Sequence, residues 1–146
     1  MPSQIGDIKT VESVQSKFTK LLCKRFNIKF NSYFHRLEIL KLETLEIRRV
    51  KFDLILIYKI INNLIEINFE IFFTFDSSHT YSLRKHNLCL KYPKLSKTTV
   101  RNNFFSYRCI KTWNKLPEIV VTSSSLAIFK HQLNQLNIYN YYSSKL

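Results

Sequence analysis

Hydrophobic residues recur every three or four positions over most of the chain, which is the period of an amphipathic α-helix. The clearest case predicts a helix over about residues 45–65, where one face carries an unbroken apolar stripe: Ile47, Val50, Leu54, Ile57, Ile61 and Leu64. Further apolar residues widen this stripe: Phe52, Ile55, Leu56, Tyr58 and Ile60. A helix that is apolar nearly all round is typical of the centre of a domain. Thr44 is placed to cap it, and Asn62 and Asn63 mark its end.

The same period predicts shorter helices on both sides of this central one, over residues 7–25, 33–42, 101–115 and 124–136. In the first, Asp7 is the expected N-cap and the apolar face is continuous: Ile8, Val11, Val14, Phe18, Leu21 and Leu22. The second turns Phe34, Leu37, Leu40 and Leu42 inward. The last has Ser123 or Ser124 as its cap. We therefore predict a mainly α fold, a helical domain around one central buried helix.

Residues 76–99 have a weaker pattern, in which leucines alternate with basic residues. This alternation fits either a short β-hairpin near 82–95 or an extended loop. A chain of 146 residues has the length of one ordinary domain. We therefore predict a single domain over 1–146, with 7–137 ordered and 138–146 as a frayed tail.

The charge is strongly positive and unevenly distributed. The chain has 23 Lys and Arg against 10 Asp and Glu, a formal net charge of +13. Between Ser77 and Pro117 there are nine basic residues and no acidic one. Such a stretch attracts the phosphates of nucleic acid or, less favoured here, an anionic membrane surface. The alternative is a solvated basic surface without a partner.

We predict that RNA or an RNA–DNA duplex is the partner, held through its phosphates. The candidate nucleic-acid-binding residues are Arg84, Lys85, Lys97, Arg101, Arg108 and Lys111. Within residues 101–108, aromatic side chains alternate with arginines, a mixture that can stack single-stranded bases. Burial in the core is the simpler interpretation for Phe104, Phe105 and Trp113, because they follow the helical period.

Composition excludes several other classes of function. A single glycine rules out the glycine-rich loops that bind nucleotide phosphates. Cys23, Cys89 and Cys109 lie far apart, which argues against a disulfide framework and for a reducing intracellular compartment, either nucleus or cytoplasm. No uncharged apolar run reaches the roughly 20 residues that span a bilayer, so we expect no membrane association.

Catalytic and metal-binding constellations are also missing from the sequence. The histidines and cysteines that could hold a metal are His79, His86, Cys89 and Cys109. Their spacing matches no zinc pattern. The three aspartates are far apart, so they form no two-metal carboxylate site. Asp53 is expected to form either an ion pair, with Arg49 one helical turn earlier as the candidate partner, or a hydrogen bond to another segment. We expect no metal, no cofactor and no enzymatic activity.

Several segments of the chain resemble, in order, one known family. The segments are 7–20, 36–49, 51–54, 58–62, 104–108, 113–117 and 126–133. They include Arg36-Leu37-Glu38-Ile39-Leu40 through Arg48-Arg49 and Trp113-Asn114-Lys115-Leu116-Pro117. Together they resemble the reverse transcriptases of jockey-like non-LTR retrotransposons.

The resemblance implies that this chain corresponds to the part of the polymerase that follows the palm, which is the thumb and the region beyond it. In the family this region grips template and primer, whereas the catalytic palm, with its metal-binding aspartates, lies upstream and has no counterpart in these 146 residues.

Two departures from the family are visible. Its Arg-Gly-His-like string is lost near His79, and no zinc knuckle follows. The resemblance therefore implies an eroded or truncated copy, without catalytic residues, that retains nonspecific nucleic-acid binding. The open alternatives are an inert or domesticated fragment and a small protein-interaction module.

Overall fold

A computed structural model describes residues 5–77, 86–92 and 104–141, and it confirms a mainly α fold. The helices are α1 (Ile5–Arg25), α2 (Tyr33–Ile39), α3 (Leu45–Ile61), α4 (Phe69–Phe72), α5 (Phe105–Arg108), α6 (Ile110–Trp113), α7 (Glu118–Val121) and α8 (Leu126–Gln135). A 3-10 turn follows at Ile138–Asn140. Among the described residues, strand pairing is limited to one antiparallel bridge between Phe75 and Leu90. The two ends of the hairpin considered near 82–95 lie outside these residues.

The chain divides into two compact units, one that extends to Arg49 and one that begins at Val50. Helix α3 crosses this division, so its first turn belongs to the first unit and the remainder to the second. The sequence alone predicted one domain and contained no linker-like segment at this point. The two units are described separately below.

The first three helices end in the same way, with a residue in the left-handed region. Asn27, Lys41 and Asn63 have φ angles of 53°, 51° and 51°. In each case the N–H of the next residue donates a hydrogen bond to the carbonyl five positions before it, as the Leu64 N–H does to the Lys59 carbonyl at 2.9 Å. This is the Schellman arrangement, in which glycine normally takes the left-handed position. The chain has one glycine and places it elsewhere, so two asparagines and a lysine fill this role.

Helix α3 is buried along its predicted stripe but ends sooner than expected. Its stripe is closed to solvent at four positions: Ile47, Val50, Leu54 and Ile57. Thr44 caps the helix by accepting a hydrogen bond from the Ile47 N–H at 3.3 Å. The helix stops at Ile61, so Leu64 lies beyond it and is 52% exposed. Phe52, which was expected to widen the buried face, is 65% exposed.

The interior of the first unit is polar where the sequence predicted an apolar face. Arg36 of α2 is buried, and its guanidinium donates to Thr19 Oγ1 at 3.3 Å and to the Ser16 carbonyl at 3.2 Å. The Tyr33 hydroxyl donates to the Glu12 carboxylate. Burial, followed by this hydrogen bond, raises the pKa of Tyr33 to about 12. Helix α1 therefore turns a hydrogen-bonding face inward.

The apolar face predicted for α1 is consequently exposed. Its members Val14, Phe18 and Leu21 are each more than 60% exposed. Asp7 lies within the first turn of α1 and is not its N-cap, because the helix begins two residues earlier at Ile5. In α2, Leu37 is buried as expected, whereas Phe34 is 68% exposed.

The end of the chain differs from the prediction in three details. The single helix expected over 101–115 is two short helices, α5 and α6, which meet at Cys109. Ser125 caps α8, and neither Ser123 nor Ser124 does so. Ile138, the first residue of the 3-10 turn, is buried. The tail that was expected to fray from residue 138 therefore begins with a buried residue.

Two further expectations concern cysteines and membranes. Cys23, Cys89 and Cys109 are all free and buried. Within the described ranges, no helix is long and apolar enough to cross a membrane.

Candidate nucleic-acid interface

The second unit holds part of the acid-free stretch, residues 86–92, against the end of α6. The Trp113 side chain is fully buried, and its indole N–H donates to the Leu88 carbonyl at 2.9 Å. The buried His86 ring nitrogen Nε2 lies 3.1 Å from the Trp113 carbonyl. Side chain and backbone of one tryptophan therefore fix two points of this segment.

Asn114 provides the third attachment. Its side-chain amide donates to the Leu90 carbonyl at 2.7 Å and accepts from the Leu90 N–H at 2.8 Å. Leu90 is fully buried, so these two bonds satisfy backbone groups that have no access to water. Beside them, Lys91 N–H donates to the Thr74 carbonyl at 2.8 Å. Residues 86–92 are thus attached to the buried core of the second unit.

The burial of His86 makes the stability of this attachment depend on pH. Burial lowers the pKa of His86, an effect partly opposed by the Trp113 carbonyl and by the charge of Glu118. The unfolded chain, with a histidine pKa near 6.5, therefore binds the proton more tightly than the folded chain. The stability that neutral His86 contributes is therefore fully present above about pH 6.5. It is lost as the pH falls from there through the lower pKa that His86 has in the folded chain.

We therefore expect the free energy of unfolding of the wild-type protein to decrease between about pH 7 and pH 5. His86→Gln should remove part of this dependence, as measured by urea denaturation at several pH values. His131→Gln is the matched control, because His131 is exposed on α8. Equal pH profiles for the two variants would contradict the assignment.

Asp53 and Arg108 form a bidentate ion pair that joins α3 to α5. Arg108 Nε lies 2.8 Å from Asp53 Oδ2, and Arg108 Nη2 lies 2.8 Å from Asp53 Oδ1. The side chains are 13% and 25% exposed, respectively. The sequence suggested Arg49 as the partner of Asp53, whereas the ion pair in the structure is with Arg108, which sequence spacing did not suggest. Fork-to-carboxylate geometry of this kind gives Arg108 a structural role.

The predicted binding residues consequently have different positions. Arg84, Lys85, Lys97 and Arg101 lie outside the described residues. Arg108 is engaged with Asp53, whereas Lys111 is exposed on α6. The structure adds two exposed lysines of the same acid-free stretch, Lys91 and Lys115, which directly follow Leu90 and Asn114 in the chain. Sequence reasoning counted these two among the basic residues but did not select them.

Aromatic side chains also occur in the acid-free stretch, and they differ in burial. Phe104 is 64% exposed, so the expectation that it belongs to the core is wrong. Tyr92 is 53% exposed. Trp113 is in the core as expected, and Phe105 packs edge-on against Phe73 with ring centroids 5.6 Å apart. Two exposed rings therefore lie within or beside the basic stretch.

The described residues contain little that could support catalysis. No group of three or more His, Cys, Asp or Glu that could hold a metal occurs among them, and His79 lies outside them. Cys89 Sγ is 4.0 Å from His86 Nδ1, but both are buried. Burial raises the pKa of the Cys109 thiol well above its usual range, and its sulfur lies 2.6 Å from the Phe105 carbonyl. A buried thiol of this kind is chemically inert.

The described residues define a mainly α protein whose acid-free stretch carries exposed lysines and two exposed aromatic rings. Comparison of the chain with protein-family models, with curated proteins and with solved structures finds no match in any of the three.

Proposed function

We propose that this chain binds RNA or an RNA–DNA duplex through the phosphate backbone, without sequence preference and without catalysis. The observation that carries the proposal is the acid-free stretch between Ser77 and Pro117, with its nine basic residues. Lysine contacts to phosphate need no sequence code, because every nucleotide presents the same group.

The described part of this stretch is consistent with such a role. Lys91 and Lys111 are exposed, and residues 86–92 are anchored by Trp113 and Asn114. A fixed backbone reduces the conformational entropy that binding would otherwise remove. Exposed Tyr92 and Phe104 could stack on unpaired bases, which would extend binding to single strands.

We further propose that the chain derives from the C-terminal region of a jockey-like non-LTR reverse transcriptase. This proposal rests on the ordered series of sequence resemblances. An inert remnant of such an element would instead bind weakly, with no dependence on particular basic residues. A protein-interaction role is favoured by a separate observation, the exposed apolar stripe of α1.

Salt titration tests the binding proposal. If about four basic residues reach phosphates, log K should fall with log salt concentration at a slope of roughly −3 to −4. Fluorescence anisotropy with a labelled RNA–DNA duplex and a labelled single-stranded RNA measures this slope, using two unrelated sequences of each. Equal affinities for the two sequences are expected. A strong preference for one sequence, or a slope near zero, would contradict backbone binding.

The absence of polymerase motifs leads to a separate expectation. Purified protein should extend no primer on an RNA or DNA template with Mg²⁺ or Mn²⁺, because the two metal ions of such a reaction require clustered carboxylates. The three aspartates, Asp7, Asp53 and Asp76, are widely separated in sequence, and Asp53 is paired with Arg108. Template-dependent incorporation of labelled nucleotides would show that this interpretation is wrong.

A further inference from the structure

Helix α1 carries an apolar stripe that the first unit does not cover. The stripe consists of Val11, Val14, Phe18 and Leu21, which are 42%, 65%, 61% and 68% exposed. Their spacing of three, four and three residues places them on one line along the helix. The buried residues of α1, Thr19 and Cys23, lie on a different side. Apolar side chains that line up outside a folded unit mark an interaction surface.

The two ends of this stripe carry opposite charges. Continuing the same spacing by four residues in each direction reaches Asp7 and Arg25, both exposed. Within the part of the chain that the structure describes, neither of these two residues takes part in an ion pair. The line from Asp7 to Arg25 is about 27 Å long, at 1.5 Å per residue.

The stripe is therefore complementary to itself when reversed. If a second copy of α1 lies antiparallel, Val11 faces Leu21 and Val14 faces Phe18 of that copy. In the same register Asp7 faces Arg25 at both ends. Because the two halves of such a contact are identical, one two-fold axis generates all of these pairs. A parallel arrangement would instead place Asp7 against Asp7 and Arg25 against Arg25.

We propose that a second copy of this chain covers the stripe, so that two α1 helices form an antiparallel homodimer. The contact is one helix face wide, which places it at the small end of protein interfaces. A contact of this size is typical of a weak dimer in exchange with the monomer. The surface is independent of the basic stretch and adds an assembly step to the proposed binding function.

Sedimentation velocity of the full chain over about 1–200 μM tests the proposal, with far-UV circular dichroism as the check on folding. The wild-type protein should shift from monomer to dimer across this range. Phe18→Glu should weaken the dimer by about 100-fold, because it places two charges at the centre of the contact. Lys20→Gln is the matched control: it makes the same change in net charge at an exposed position off the stripe.

Charge exchange tests the antiparallel register. Asp7→Arg alone, or Arg25→Asp alone, should weaken the dimer by about tenfold or more, because like charges then meet at both ends. The double variant restores opposite charges and should return to within about threefold of the wild-type affinity. Asp7→Asn combined with Arg25→Gln should weaken an antiparallel dimer but tighten a parallel one.

Three outcomes would overturn the proposal. The first is a wild-type protein that remains monomeric at about 200 μM. The second is a Phe18→Glu variant that dimerises as well as Lys20→Gln. The third is failure of the double charge exchange to recover the affinity that each single exchange removes.

Discussion

Ile57→Asp should abolish the cooperative unfolding transition of the protein. Ile57 is fully buried in the middle of α3, and a carboxylate there has no water to solvate it. The cost is several kcal/mol against a total stability that is roughly 5–15 kcal/mol for a domain of this kind. Thermal and urea denaturation, followed by circular dichroism, should show a broad, non-cooperative loss of signal.

The same helix offers a matched control. Phe52→Asp makes the same apolar-to-acidic change at a position that is 65% exposed. Its cost should stay below about 1 kcal/mol, mainly from the lower helix propensity of aspartate. If the two variants shift the unfolding midpoint equally, the buried face of α3 has been assigned incorrectly.

Asn114→Ala should lower the free energy of unfolding by about 2–4 kcal/mol. Its amide is bonded to both the N–H and the carbonyl of Leu90, and Leu90 is closed to solvent. Removing the amide leaves two buried backbone groups unsatisfied, at roughly 1–3 kcal/mol each. Urea denaturation measures the loss in the full chain.

Asn62→Ala is the control for this second prediction. Asn62 is exposed just beyond α3, and its amide donates to the Tyr58 carbonyl of that helix at 2.9 Å. Its loss should cost under about 1 kcal/mol, because water replaces the missing bond. A cost for Asn114→Ala no greater than this would mean that Asn114 does not anchor residues 86–92.

Hydrophobic periodicity predicted helices well because it reports the local requirement that one face be buried. It placed α3, its cap Thr44 and the buried Leu54 and Ile57 correctly. It failed for α1, because the inward face of this helix carries Ser16 and Thr19, which accept hydrogen bonds from the buried Arg36 of α2. A polar residue that is buried by partners distant in sequence leaves no periodic signal. The periodicity of α1 therefore predicted that its apolar stripe faces inward.

The candidate interface was predictable only as a distribution of charge. The excess of lysine and arginine identified the stretch, since charge is a property of composition. The ion pair of Arg108 depends on Asp53, which lies 55 residues away along the chain. The Asn114–Leu90 attachment spans 24 residues and depends on one amide side chain. Neither pairing has a local pattern that a sequence could reveal.

The salt dependence of binding in two matched variants tests the central claim most directly. One variant replaces Lys97, Arg101 and Lys111 by Gln, and the other replaces Lys9, Lys17 and Lys20 of α1 by Gln. Both lose three positive charges, so a general effect of net charge would be the same in each. We expect the first to flatten the slope of log K against log salt by about 2–3 and the second to change it by less than about 0.5. Equal changes in the two variants would contradict a binding surface in the acid-free stretch, leaving total charge as the cause of binding.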